Sequence, residues 1–142
     1  MEIIIFPLHL LSLAFVGWNV VLADHMGFTW MSGNKPLLDG KNVKKYHYRT
    51  LIGLGLMLVT GFMLFWPMRE FLLTRTQFYI KMGFVLALVI NSFVIGILSK
   101  IATIKSFTSL SVKEKIPLLI SGAVSAVSWL GAILMAFFLI PD

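Results

Sequence analysis

Four long apolar runs dominate this sequence and restrict what the chain can fold into. They cover about residues 3–23, 50–66, 77–98 and 117–140. Each approaches the ~20 residues that a helix needs to cross the ~30 Å hydrocarbon core of a bilayer, and none carries the polar face of a soluble amphipathic helix. We therefore predict an all-α fold in which residues 1–142 form a single domain, a four-transmembrane-helix bundle with short loops.

Composition favours lipid contact over a soluble core. The 142 residues are 58% hydrophobic, with a mean hydropathy of +0.92, which is more apolar than one soluble core of this size requires. The first run lacks the basic leader and cleavage site of a signal peptide, so we expect it to remain as a span. The absence of cysteine excludes disulfides, thiolate metal sites, iron–sulfur clusters and covalent c-type haem. There is also no glycine-rich phosphate loop and no nucleophile elbow.

Basic residues are concentrated in the first and third connections. These connections and their edges hold Lys35, Lys41, Lys44, Lys45, Arg49, Lys100, Lys105, Lys113 and Lys115. The second connection has only Arg69 and Arg75. Because cytoplasmic loops are rich in Lys and Arg, we expect both termini on the outer side of a bacterial plasma (inner) membrane. Topology and lipid headgroups then explain the net charge of +6, and nucleic acid is not an expected partner.

Several local patterns predict helix ends and helix contacts. Ser111 and Glu114 have the S-x-x-E spacing of a capping box at the start of the fourth helix, and Pro7 and Pro67 are interpreted as boundary residues. Small residues of the fourth run form a stripe for close helix approach, namely Ser121, Ser125, Ser128 and Ala132. Four aromatic residues are expected in belts at the two membrane interfaces: Trp30, Tyr46, Tyr48 and Trp66.

Polar residues inside the runs are the candidates for function, because membrane insertion penalises them. Lys81 would cost roughly 2.5–3.5 kcal/mol at the bilayer centre, and less if its stem reaches the headgroups. His9 and Lys81 lie at depths that differ by about 3 Å, so they can meet if the first and third helices are neighbours. Asn19 and Asn91 each follow about 15 Å deeper, where an interhelical hydrogen bond would satisfy them.

The histidines and methionines offer several ligand sets. His9 is either a packing residue or a metal ligand through a neutral ring nitrogen. His25 and His47 flank the first connection and are weaker candidates for a second, inner site. One haem iron cannot bind both His9 and His47, since about 20–25 Å of helical rise separates them. Met63 and Met82 lie near the depth of His9, and thioethers with imidazole suit Cu(I).

Three segments resemble small four-helix membrane families related to copper-resistance protein D and to the HemJ-type protoporphyrinogen oxidases. They read LHLLSLAFVG at 8–17, LVTGFMLF at 58–65 and FYIKMGFVLALV at 78–89. The HemJ-like pattern has a histidine early in helix one and a lysine early in helix three, which map onto His9 and Lys81. The resemblance implies b-type haem binding and an oxidoreductase activity that involve these two residues. The first connection, DHMGFTWMSGNKP, does not match this pattern and looks closer to uncharacterised relatives.

Three functions follow as hypotheses. The first is a redox protein that holds haem b near the outer face, with His9 as axial ligand to the iron and Lys81 as second ligand or propionate partner. The second is a non-enzymatic accessory subunit of a larger membrane complex, or a homo-oligomer in the lipid bilayer, whose polar pairs only lock the bundle. The third is a copper-handling membrane protein that uses His9, Met63 and Met82.

Overall fold

Four long helices make up most of the chain. A computed structural model describes residues 2–140. Its helices are α1 Glu2–Met31, α2 Gly40–Leu72, α3 Thr76–Leu98 and α4 Val112–Phe137, with short 3-10 helices at Ser99–Thr103 and Phe107–Ser109. No strand occurs in the described residues, and each long helix is apolar enough to cross a membrane. The chain is therefore a multi-pass, all-α membrane protein with four helices, as predicted.

The helices α1 and α2 extend well beyond the predicted spans. The predicted first connection, 24–48, is mostly helical, and only residues 32–39 separate the two helices. The helix α2 begins after Asp39, whose side chain accepts a hydrogen bond of 3.1 Å from the Lys41 amide. Lysine is a good helix former, so the charged segment after Asp39 is helical although it is not apolar. Both spans predicted from hydropathy are therefore shorter than the helices that contain them.

Two predictions about helix ends have different outcomes. Pro67 does not end a helix, because α2 continues through it to Leu72, and Pro7 likewise lies within α1. Each proline removes only one backbone donor, a loss that membrane helices tolerate. The capping box is confirmed: the Ser111 amide donates to Glu114 Oε1 at 3.2 Å, immediately before α4.

The bundle consists of two tightly packed helical hairpins. The helix α1 packs along α2 and α3 packs along α4, whereas α2 and α3 share a smaller contact and α1 hardly touches α4. Gly53 of α2 lies against Val16 of α1, which is fully buried. Gly131 of α4 receives the ring of Phe84 from α3. Small residues thus set the close approach of the helices within each hairpin.

The predicted stripe of small residues on α4 is confirmed at three of its four positions. Ser121, Ser128 and Ala132 are all buried in the contact with the rest of the bundle. Ser125 is only half-buried and borders an internal cavity. Three positions of the stripe therefore pack against protein, while Ser125 faces free space.

The loops at 32–39 and 99–111 lie at the same end of the bundle, which we call the basic end; the other is the terminal end. Trp30 is only 3% exposed there, in an apolar cluster with Ala102 and Leu110. Its indole N–H donates to the Lys105 carbonyl at 3.0 Å, and its ring meets Phe107 edge to face. The prediction that Trp30 belongs to an interfacial belt is wrong, because the third connection folds over it as a cap.

Candidate functional site

His9 lies in the contact between α1 and α2, in the terminal half of the bundle. Its Nδ1 atom is 2.8 Å from the Thr60 hydroxyl, and its side chain is half-buried. Gly61 is the next residue of α2, and a Cβ atom placed there would be 3.4 Å from His9 Cε1. The imidazole ring therefore packs closely on α2, with one nitrogen held by a hydrogen bond.

The Thr60 hydroxyl decides which nitrogen of His9 carries the proton. Its oxygen is also 2.8 Å from the Leu56 carbonyl oxygen, which can only accept. A hydroxyl has a single hydrogen, so Thr60 donates to Leu56 and accepts from His9. Both contacts are satisfied only if His9 Nδ1 bears hydrogen, and we assign this tautomer from the network. The lone pair of Nε2 is then free to bind a metal ion or to accept a proton.

Lys81 approaches the same region from α3. Its side chain is half-buried. Leu88 and Asn91, seven and ten residues further along α3, are both buried. At 3.6 residues per turn these positions share one side of the helix, so Lys81 lies on the inward side. Among residues 3–140, whose side chains the structure describes, none forms an ion pair or a hydrogen bond with Lys81.

The second polar layer forms differently from the prediction. Asn91 donates to the Ser121 carbonyl at 3.0 Å and accepts from the Ser121 hydroxyl at 2.7 Å. This confirms an interhelical hydrogen bond for Asn91, with α4 as the partner helix. Asn19 instead donates to the Phe15 carbonyl of its own helix, and its buried Oδ1 atom has no hydrogen-bond partner among the described residues. The two asparagines are therefore not bonded to each other.

The weaker ligand candidates are dispersed. His25 is exposed, whereas the His47 ring lies against Gly96 of α3, so the two do not face a common cavity. Met63 and Met82 are 45% and 43% exposed, on the outward sides of their helices. In the part of the chain that the structure describes, no three His, Asp or Glu side chains are grouped to hold a metal ion.

A cavity of about 340 Å³ separates the two hairpins in the basic half of the bundle. All four helices contribute to its walls, which include His47, Asn91 and Ser125. Sequence reasoning missed this cavity and also the contact of Thr60 with His9. The i to i−4 spacing of Thr60 and Leu56, with a histidine at the matching depth of α1, is a signal that could have identified the Thr60 hydrogen bond.

Comparison of the chain with protein-family models, with curated proteins and with solved structures finds no significant match. The likeness to the copper-resistance D and HemJ families therefore stays a prediction from short apolar motifs.

Proposed function

We propose that this protein is a membrane redox protein that binds b-type haem through His9. The observation that carries the proposal is the hydrogen bond between His9 and Thr60. Histidines that bind metal usually donate their other ring N–H to a protein group, which fixes the tautomer and the orientation of the ring. His9 has this arrangement, with Nδ1 as donor and Nε2 free.

The surrounding residues fit a haem group in their chemistry. A neutral imidazole is a common axial ligand to haem iron, and Lys81 can act as a second ligand or pair with a propionate. Gly61 lets the His9 ring lie close against α2. Haem b would supply one-electron chemistry, while His9 and Lys81 would hold and orient it. A HemJ-like oxidoreductase activity would belong to this same site.

The two alternatives have less support from the geometry. A copper site that combines His9 with Met63 and Met82 is not favoured, because both methionines lie on outward sides of their helices. An accessory subunit would use the His9 to Thr60 bond only to lock α1 to α2. That role does not account for Lys81 on the inward side of α3, where a charged side chain costs insertion energy.

The absorption spectrum of the detergent-purified protein tests the haem proposal directly. We expect a Soret band that shifts when dithionite reduces the iron, in protein from haem-replete cells. The pyridine haemochrome assay would identify the haem as b-type, since no cysteine is present for covalent attachment. A folded but colourless sample would reject the haem proposal and favour the accessory-subunit function.

We also propose that the basic end faces the cytoplasm of a bacterial cell and that both termini lie on the outer side of the plasma membrane. Nine of the twelve Lys and Arg residues lie at or near the basic end, which supports this orientation. A reporter that is active only in the cytoplasm, fused after residue 142, should show background activity. The same reporter inserted in the 32–39 loop should be active. The reverse pattern would overturn the orientation.

A further inference from the structure

The cavity between the hairpins is closed at the basic end. Trp30, Ala102 and Leu118 contribute to its walls and also belong to the apolar cluster of the cap. The third connection covers this cluster, and the Trp30 indole is tied to the Lys105 carbonyl. Water on the basic side is therefore separated from the cavity by a packed layer of side chains.

The cavity adjoins the lipid-facing surface between α1 and α4. A groove of about 310 Å³ runs between these two helices, which hardly touch. Cavity and groove share four wall residues: Val20, Asp24, Ser125 and Trp129. A molecule dissolved in the bilayer can thus reach the cavity sideways, through the gap between the hairpins.

We propose that this cavity binds the uncharged ring of an amphipathic molecule of the quinone class, whose apolar tail leaves through the groove. The volume fits such a ring. A dry protein cavity of about 150 Å³ holds one benzene molecule, so 340 Å³ accommodates a substituted ring or two fused rings. The groove then provides an apolar path for the tail towards the lipid.

Hydrogen-bond donors in the walls favour a ligand with carbonyl oxygens. Three residues of the cavity walls carry such donors, namely the hydroxyls of Tyr46 and Ser125 and the indole N–H of Trp129. None of the three makes a hydrogen bond to another of the described residues, whereas Asn91 and Ser121 already satisfy each other. A few polar groups in a mostly apolar cavity are typical of sites that orient a small molecule by its head.

Charge in and around the cavity selects against ionised ligands. The concentration of Lys and Arg at the basic end opposes the entry of a cation into this half of the bundle. The apolar walls would remove water from an anion without a buried cation to compensate it. Asp24 is the one carboxylate at the groove, and it can accept a hydrogen bond from a ring hydroxyl. An uncharged ring satisfies all of these conditions.

Two glycines of the chain provide a matched test of the site. Gly122 borders the cavity, and a Cβ atom placed there would meet nothing within 4 Å. The Gly122→Leu variant therefore adds apolar bulk at the cavity wall, and its Cβ atom disturbs no helix contact. Gly55 is equally free of neighbours and borders neither the cavity nor the groove, so Gly55→Leu is the control.

The experiment is a calorimetric titration of the detergent-purified protein with decyl-benzoquinone. We expect saturable binding to the wild type and to Gly55→Leu. Gly122→Leu should bind at least about tenfold more weakly, which is a loss of at least about 1.4 kcal/mol of binding free energy. Trp129→Phe should weaken binding, because phenylalanine keeps an aromatic side chain but lacks the indole N–H donor. His9 does not line this cavity, so the result of the titration does not depend on whether the protein binds haem.

Two results would overturn the proposal. Equal heats for the wild type and Gly122→Leu would show that the quinone only partitions into detergent. Saturable binding of tetraphenylphosphonium that is lost in Asp24→Asn, with no quinone binding, would show that the cavity takes an organic cation instead.

Discussion

If His9 ligates haem as proposed, exchanging it for alanine is expected to remove haem from the purified protein while the four helices remain inserted. The axial ligand supplies the bond from protein to iron, and alanine has no group to replace it. Insertion depends on the apolar content of each span, and this change removes a polar residue from α1. The Soret absorbance per protein should fall to background, whereas the circular dichroism spectrum and the amount of membrane-inserted protein should match the wild type.

Thr60→Val separates ligation from packing, because valine has nearly the shape of threonine but cannot accept a hydrogen bond. His9 would keep its place against Gly61 but lose the partner that orients Nδ1. Loss of such a partner typically lowers metal affinity about 10- to 100-fold. We therefore expect weaker haem retention in Thr60→Val than in the wild type, but more than in His9→Ala.

Lys81 is tested by a pair of variants. Lys81→Met removes the charge, which should ease insertion and alter the haem content or the spectrum, and Lys81→Arg keeps the charge as the control. If the wild type binds haem and both His9→Ala and Lys81→Met retain its full content with an unchanged spectrum, this pair of residues is structural. The search for an iron ligand would then move to His47.

Hydropathy predicted the four helices because the energy of burying apolar surface in lipid acts over a whole run of about 20 residues. It placed their ends less well. The segment after Asp39 is too charged for lipid, yet its lysines form helix readily once a cap starts it. The burial of Trp30 could not be predicted from hydropathy either. It depends on the third connection, where Lys105 accepts its hydrogen bond seventy-five residues later in the sequence.

Depth was predictable for the polar residues, but partners were not. Helical rise places His9 near Lys81 and Asn19 near Asn91 without any knowledge of packing. Which helix each residue faces depends on how the hairpins pair. Asn91 bonds to Ser121 of α4, and His9 to Thr60 of α2. The cavity exists because the two hairpins pack with a gap between them, and the sequence pattern of a single helix does not predict that gap.

Gly53→Ala should destabilise the first hairpin strongly although it adds only one methyl group. A Cβ atom at Gly53 would lie 2.7 Å from the Cβ atom of Val16, a distance at which something must move. Val16 is fully buried, and its Cβ is fixed to the backbone of α1, so no side-chain rotation relieves the clash. The two helices must separate along the contact that also positions His9 beside Thr60.

Overpacking of this kind costs typically about 1–3 kcal/mol. Gly55→Ala is the matched control two residues away, where an added Cβ meets nothing within 4 Å, and it should stay within about 0.5 kcal/mol of the wild type. Equilibrium unfolding in mixed micelles, followed by circular dichroism, measures both variants. Equal stability of the two would show that α1 and α2 are not held by close contact at Gly53. Under the haem proposal, Gly53→Ala should also weaken haem retention, because separating the helices loosens the hydrogen bond that orients His9.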